Sequence, residues 1–486
     1  MLHPRVVVAG TGSGVGKTTV TVALLRAIRR RGLTVSAFKV GPDFLDPTYL
    51  AIASGRPCHN LDGWMMGTTY VAELFEHASR ATDISVVEGV MGLYDGLSPS
   101  SSAGSSAEIA RLLAAPVVLI AGAHGMSRSF AAQVRGYVGF EAGVAIAAVI
   151  ANNTGSARHA SGLAESLGSA GLPPLVGAIP RGALPTLPSR HLGLVTADRG
   201  LLGEDVLDAL ADALEKHVDL DAVIARARAA APLPGYRPAD QQPRTAETTC
   251  TAAAVLPPGS ERPAAPGSPA RRLRLGVAFD EAFHFYYADT WESLERAGFE
   301  LVRFSPLRAG FLPEGVHGLY LGGGYPEAFA AALSANETMR RSVAEFAGSG
   351  RPVYAECGGL MYLSRWIAAG GERHAMCGVL PCGTRMLERR KALGYIEAEL
   401  TEDALWGAAG SVGRGHEFHY SELAGDPAGG RGWRRAYRIR RGHGGEPERE
   451  GFTNGTVLAS YAHLHFASRP DMARRLYRRC EESADK

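Results

Sequence analysis

The sequence predicts an α/β protein in two halves, each a parallel sheet covered by helices. Short apolar runs alternate with amphipathic stretches along both halves, the pattern of strands buried on two faces. A Pro- and Ala-rich stretch separates the halves, with nine of the 28 prolines lying between Pro232 and Pro269. Such a composition cannot bury enough apolar surface to fold, so 232–271 is expected to be a linker. The chemically distinctive motifs fall just after apolar runs, where open sheets of this kind bind ligands.

The first half offers a strand at 5–9, a helix at 17–30, strands at 34–40 and 84–88, a helix at 106–113, and strands at 117–121 and 143–152. The second half offers a strand at 274–279, a helix at 286–297, strands at 300–304 and 318–321, a helix at 328–348 and a strand at 353–356. With 486 residues, the chain is long enough to need no disulfide staples. Its 51 basic and 49 acidic residues nearly cancel, which argues against a nucleic-acid or polybasic membrane partner. The six cysteines, at 58, 250, 357, 377, 382 and 480, form no Cys-x-x-Cys pair. They suggest neither a zinc ribbon nor a redox pair, but a reducing compartment. No basic leader opens the chain, and no apolar run approaches the roughly 20 residues of a membrane span, so a cytoplasmic location is expected.

Gly10-Thr11-Gly12-Ser13-Gly14-Val15-Gly16-Lys17-Thr18-Thr19 joins the first strand to the first helix. Glycines let backbone N–H groups wrap phosphates at a helix N-terminus. Lys17 would reach the β- and γ-phosphates of a nucleotide, and the Thr18 hydroxyl would ligate Mg²⁺. The usual spacing calls for Gly at position 11; this chain has Thr11 and shifts its first glycine to Gly10. Lys39-Val40-Gly41-Pro42-Asp43-Phe44-Leu45-Asp46-Pro47 ends the second strand, where Asp43 and Asp46 are candidates for metal or substrate, or for a turn. Glu88 closes a third strand in the position of a metal-organising carboxylate. Asp95, in the glycine-flanked loop that follows, is a ligand contact or a turn residue. Asn152 could read adenine or cap its strand end. Arg190, in the polar run 188–193, could hold an anion or lie in a solvated loop.

In the second half, Val353-Tyr354-Ala355-Glu356-Cys357-Gly358-Gly359-Leu360 reads as strand, sharp turn and helix. Cys357 at the bend is a nucleophile elbow, and the following helix N-terminus is expected to lower its pKa. Leu321-Gly322-Gly323-Gly324-Tyr325 could aim backbone N–H groups at an oxyanion. A thiolate wants an imidazole, and Tyr461-Ala462-His463-Leu464-His465-Phe466 offers two. His416-Glu417-Phe418-His419 falls one residue short of a His-Glu-x-x-His zinc motif and is either substrate-facing or structural.

These segments together resemble the cobyrinic acid and hydrogenobyrinic acid a,c-diamide synthases, over nearly the whole chain outside the linker. Besides the motifs above, the likeness rests on 87–96, 187–194, 280–283, 285–287, 321–327, 354–363, 415–421 and 461–466. It implies an N-terminal ATP-dependent amidoligase domain (1–231), P-loop NTPase-like and similar to dethiobiotin synthetase. It also implies a class I glutamine amidotransferase-like domain (272–473), followed by a tail (474–486). ATP would bind Gly12, Gly14, Gly16, Lys17, Thr18, Thr19 and Asn152, and Mg²⁺ would bind Thr18, Asp43 and Glu88. The corrinoid substrate would meet Lys39, Asp43, Leu45 and Asp95. Cys357 would attack glutamine with His463 as its base, and Gly323, Gly324 and Gly358 would form the oxyanion hole. Many class I amidotransferases carry Glu two residues after that histidine; here the residue is His465, so a Cys–His dyad is expected, with the group that orients His463 unassigned. Two carboxylates, a and c, would each be activated as an acyl phosphate and amidated by ammonia passing between domains, at two ATP and two glutamine per product. The nickel-sirohydrochlorin diamide synthases and cobyric acid synthases share parts of this motif set. A partition-type ATPase would carry an extra lysine where this chain has Gly12, and would have no use for Cys357. Homo-oligomerisation is left open by all of these motifs.

Overall fold

The computed structural model describes residues 3–187, 202–233, 272–430, 432–442 and 446–485, together with the strand pairing of 189–190 with 193–194. Almost all of the expected linker, and the side chain of Arg190, lie outside the described residues. The chain forms two compact units, Met1–Pro258 and Gly259–Lys486.

The first unit is built on seven strands: β1 (Arg5–Gly10), β2 (Val35–Val40), β3 (Cys58–Leu61), β4 (Ile84–Glu88), β5 (Val117–Gly122), β6 (Ile146–Thr154) and β7 (Leu175–Pro180). They lie in the order β3-β2-β4-β1-β5-β6-β7, and every pairing is parallel. Val6, Val7, Val8, Val86, Val87 and Val117 to Ala121 are fully buried, as expected of strands covered on both faces. Helix α1 (Lys17–Arg30) lays Val20, Leu24, Ala27 and Ile28 against that sheet. Helices Glu204–Glu215 and Leu220–Arg228 belong to this unit as well. The first of these packs Leu207, Leu210 and Leu214 into the same core and joins α1 through a two-pronged Arg26–Asp208 pair, at 2.8 and 3.0 Å. Because β1 lies between β4 and β5, with β2 beyond β4, the loops after β1, β2 and β4 leave the same edge of the sheet.

The second unit corrects the expectation of a purely parallel sheet. Its main sheet has ten described strands, of which five are parallel, in the order Phe299–Phe304, Leu273–Ala278, Gly318–Leu321, Val353–Glu356, Val457–Ser460. The other five, Glu448–Thr453, Arg434–Arg441, Ala392–Leu400, Val412–His419 and His463–Leu464, continue the sheet antiparallel. Ile396, Ala398 and Leu400 alternate with glutamates, the period-two pattern of a strand with one solvated face.

The helix expected over 328–348 is interrupted. A short turn, Pro326–Phe329, leads to helix Ala330–Ala335 and then to helix Glu337–Gly348. Asn336 makes the break: its side chain accepts from Met339 N–H and donates to the carbonyls of Pro306 and Ala309. The tail expected at 474–486 is instead most of helix Met472–Ala484. That helix buries Met472, Ala473, Leu476, Tyr477 and Cys480 at helical spacing against the first strands of the unit.

Candidate active site

The phosphate loop turns on glycines. Gly14 and Gly16 hold φ of 76° and 95°, in the left-handed region that side chains resist. A Cβ at Gly16 would also meet the Asn152 amide nitrogen at 2.5 Å. That amide donates to the Val15 carbonyl at 2.9 Å, so Asn152 braces the loop from β6. Lys17, in the first turn of α1 beside Thr18 and Thr19, donates to the carbonyls of Gly12 (2.9 Å) and Met91 (2.6 Å). Burial, with the nearby Lys39 charge, lowers its pKa. Both acceptors are neutral, and an incoming phosphate offers the ammonium a stronger, charge-assisted bond.

Four side chains from four elements meet behind the loop. Thr18 Oγ1 donates to Glu88 Oε1 at 2.7 Å and lies 3.3 Å from Asp46 Oδ2. Lys39 Nζ donates to Asp46 (2.6 Å), Glu88 (2.7 Å) and the Gly89 carbonyl (3.2 Å). Burial opposes the Lys39 charge, but Glu88, Asp46 and Asp43 outweigh it and raise its pKa far above the usual lysine range. Burial raises Glu88 to about 7, against the pull of Lys39. Glu88 Oε2 is buried with no hydrogen-bond partner among the described residues. A bare carboxylate oxygen beside a threonine hydroxyl and a second carboxylate is a hard, all-oxygen donor set that fits Mg²⁺.

Asp43 stands differently from its expected metal role. Its Oδ1 accepts the N–H groups of Leu45 (2.8 Å) and Asp46 (3.0 Å), opening helix Asp46–Ser54, and its Oδ2 stays 3.9 Å from Lys39. Burial and the Asp46 charge raise it to about 6. The carboxylate of this segment that reaches Thr18 is Asp46. Asp95 accepts the Gly92 N–H at 2.8 Å, where any Cβ on Gly92 would meet its carboxylate, and so shapes the loop after β4.

In the second unit the predicted nucleophile, Cys357, directly follows one strand, and the predicted base, His463, comes three residues after the end of its parallel neighbour, Val457–Ser460. Cys357 follows Val353–Glu356 at φ 46° and ψ −98°, a strained non-glycine conformation of the kind a nucleophile elbow requires. Its N–H donates to the Ser460 carbonyl at 2.7 Å, three residues before His463. The glycine loop closes over both residues. A Cβ on Gly323 would strike His463 Cε1, and a Cβ on Gly358 would come within 3.1 Å of the Gly324 nitrogen. Gly324, at φ 156°, leaves no room for a side chain against the Ala282 carbonyl. The three predicted oxyanion glycines therefore pack closely about the Cys357 bend and His463.

The expected fall in the thiol pKa is not found. Burial, then the Glu327 charge, push the Cys357 thiol up, and the six-residue helix Gly358–Leu363 is too short to offset them. Burial, with His416 and His419 near it, holds His463 well below its ordinary value, so its imidazole is neutral. His416 stacks on His463 at 5.0 Å between ring centres and shares its Nδ1 with the Tyr287 hydroxyl at 3.1 Å. His465 lies 3.5 Å from Asp289 and packs at a tilt against Tyr287.

Beside the elbow opens a cleft of about 640 Å³. Glu417, His419, Arg441, Glu448, Glu450 and Tyr461 are among its lining. Arg441 grips Glu417 with two bonds, at 2.5 and 3.1 Å. Glu450 binds the Ser460 hydroxyl and Tyr461 N–H, on the residue whose carbonyl holds Cys357.

Two family models match. A "CobQ/CobB/MinD/ParA nucleotide binding domain" covers residues 6–195, and a "CobB/CobQ-like glutamine amidotransferase domain" covers 274–471. The cobyrinate a,c-diamide synthase of Syntrophotalea carbinolica is 51% identical over 475 residues, covering 98% of each chain. The chain belongs to the cobyrinate and hydrogenobyrinate a,c-diamide synthase family. The hydrogenobyrinate a,c-diamide synthase of Streptomyces coelicolor is 44% identical, over 99% of this chain and 98% of that one. The cobyrinate a,c-diamide synthase of Dehalococcoides mccartyi strain CBDB1 is 41% identical, over 98% of each. The phosphate loop falls within the matched nucleotide binding domain, and the Cys357 elbow within the matched glutamine amidotransferase domain. Among the described residues, no helix is long and apolar enough to cross a membrane. The motif reading names Asp46 as a candidate beside Asp43 but gives the metal role to Asp43, and it assigns no role to Glu356. A carboxylate closing an otherwise apolar strand was the signal for the latter.

Proposed function

We propose that the chain amidates the a and c carboxylates of cobyrinic or hydrogenobyrinic acid, with ATP and glutamine as co-substrates. The observation that carries this is the pairing, on one chain, of a Lys17–Thr18 phosphate loop backed by Glu88 with a strained Cys357 elbow beside His463. A carboxylate is a poor electrophile because its leaving group is oxide; transfer of the γ-phosphoryl group makes an acyl phosphate and ADP. Lys17 holds the charge that shifts in that transfer, and the glycine loop fixes the phosphates in line. Thr18 and Glu88, with Asp46 beside them, would hold Mg²⁺, which supplies charge neutralisation at the phosphates. Asp95 and Leu45 flank the acceptor side.

In the other unit the Cys357 sulfur adds to the glutamine amide carbon while His463 takes the thiol proton and delivers it to the departing nitrogen. Ammonia leaves and a glutamyl thioester remains, which water converts to glutamate and free thiol. The ammonia adds to the acyl phosphate, phosphate departs, and one amide has formed per ATP and per glutamine. Gly323, Gly324 and Gly358 would offer backbone N–H groups to the oxyanion of the tetrahedral intermediates that precede and follow the thioester. The test is direct: with ATP and glutamine, the purified chain should lower the mass of cobyrinic or hydrogenobyrinic acid by two acid-to-amide exchanges. No mass change with either acid would sink the reading, and the better substrate of the two settles the metal state of the macrocycle.

Glutamine is a zwitterion, and the cleft beside the elbow carries both signs. Arg441, which also holds Glu417 and Glu448, suits its carboxylate, and Glu450 suits its ammonium. Arg441→Ala should therefore raise KM for glutamine about tenfold, the scale of one lost charge-assisted bond, with a smaller change in kcat. Steady-state glutaminase kinetics check this, and an unchanged KM would place glutamine elsewhere.

A further inference from the structure

In this chain the position two residues after His463 holds His465, which is engaged with Asp289 and Tyr287. A buried carboxylate does approach His463, from the neighbouring strand. Glu356 Oε2 lies 4.0 Å from His463 Nδ1, with both side chains almost wholly buried. The Tyr354 hydroxyl donates to Oε1 at 2.6 Å and the Tyr320 hydroxyl to Oε2 at 2.9 Å. The N–H of Leu464, next to the histidine, donates to Oε1 at 3.1 Å. An ionised carboxylate offers about four acceptor positions, and these three bonds leave one on the oxygen nearest the imidazole.

We propose that Glu356 is the positioning residue for His463, supplying from the nucleophile's own strand the carboxylate that related amidotransferases carry on the histidine's strand. The proposal rests on the reading of Cys357 and His463 as nucleophile and base. Its geometry follows from the sheet. Val353–Glu356 pairs with Val457–Ser460 in parallel register, Glu356 opposite Ser460, so the carboxylate ends level with the turn that delivers His463. A gap of 4.0 Å is longer than a hydrogen bond, but such contacts tighten when the imidazolium forms. Glu356 is held at its far side by two hydroxyls and a backbone N–H, so its own placement is fixed before glutamine arrives. A carboxylate there fixes the ring and stabilises the imidazolium, as in Cys–His and Ser–His sites generally.

The test separates charge from shape. Glu356→Gln keeps the shape and loses the charge, whereas Glu356→Asp keeps the charge and shortens the reach. The full chain is assayed for glutaminase turnover and for the pH dependence of Cys357 alkylation by iodoacetamide. If Glu356 positions His463, Glu356→Gln lowers kcat roughly a hundredfold with little change in KM, and Glu356→Asp recovers part of it. Loss of the carboxylate also makes proton transfer to His463 harder, so the alkylation midpoint rises in the order wild type, Asp, Gln, by about one pH unit in all. The other groups facing this cluster are His416 and His419 beside His463, Tyr320 and Tyr354 on Glu356, and Glu327 and Glu417 near Cys357; all are unchanged in the variants. Turnover that follows shape, with Gln near wild type and Asp poor, would overturn the proposal, as would midpoints that do not move. Should Glu356→Gln fail to fold by near-UV circular dichroism, the Asp midpoint alone decides: a rise supports the role and no rise rejects it. None of these failures touches the nucleophile assignment, which Cys357→Ala tests separately.

Discussion

Cys357→Ala is expected to abolish glutamine-driven amidation and to leave ammonia-driven amidation in place. Only the sulfur can carry the glutamyl group, so its removal eliminates the thioester route rather than slowing it, a loss of at least about a thousandfold. On the proposed reading the acyl phosphate is made by a different set of residues, Lys17, Thr18 and Glu88, and it reacts with ammonia whatever its source. The substitution does not disturb the elbow: at φ 46° alanine meets the same backbone penalty as cysteine, and the Ser460 carbonyl still receives the backbone N–H. The measurement is product mass with glutamine and, separately, with an ammonium salt at a pH that supplies free ammonia. Normal use of glutamine by the variant would show that another group is the nucleophile.

Some of this architecture was legible in the sequence, and the reasons are physical. β1, β4 and β5 are short runs rich in β-branched residues, Val353–Glu356 is a short apolar run ending in a carboxylate, and in a sheet covered on both faces nothing else competes with that reading. The phosphate loop and the Cys357 bend announce themselves because both need glycines at fixed offsets. The antiparallel half of the second sheet did not stand out. In Arg434–Arg441 and Ala392–Leu400, arginines and glutamates interrupt the apolar residues, and the cross-strand pair Arg438–Glu399, with Arg434–Glu402 just beyond the strand end, exists only once the register is set. Asn336 could not be read as a break, because the partners it caps and ties, the carbonyls of Pro306 and Ala309, come from a distant loop. The same holds for Asp43 and Asp46. Both flank a Pro-rich turn, and which one turns toward Thr18 depends on where helix Asp46–Ser54 begins. Glu356 is the extreme case: its role depends on Tyr320, Tyr354 and Leu464, which meet only through pairing of strands far apart in the chain.

Lys17→Ala is expected to stop amidation by both routes, which sets it apart from Cys357→Ala. In the structure the Lys17 ammonium rests on two neutral carbonyls, those of Gly12 and Met91, at the mouth of the glycine loop. It is the cation poised to follow the γ-phosphoryl group as charge moves toward the bridging oxygen. Lys39 cannot take its place. Its Nζ is held by Asp46, Glu88 and the Gly89 carbonyl, and moving it would leave two buried carboxylates uncompensated. Without Lys17 the acyl phosphate does not form at a useful rate, so ammonia, whether from glutamine or from solution, meets an unreactive carboxylate. The expected fall is about a thousandfold or more in product with either nitrogen source, with ADP release falling in parallel. Intact glutamine hydrolysis in a separate glutaminase assay would show that the variant is folded and that the loss lies at the phosphate loop. Ammonia-driven product at the wild-type rate would mean that the carboxylate is activated somewhere other than behind Gly10–Thr19, and the roles given to Thr18, Asp46 and Glu88 would fall with it.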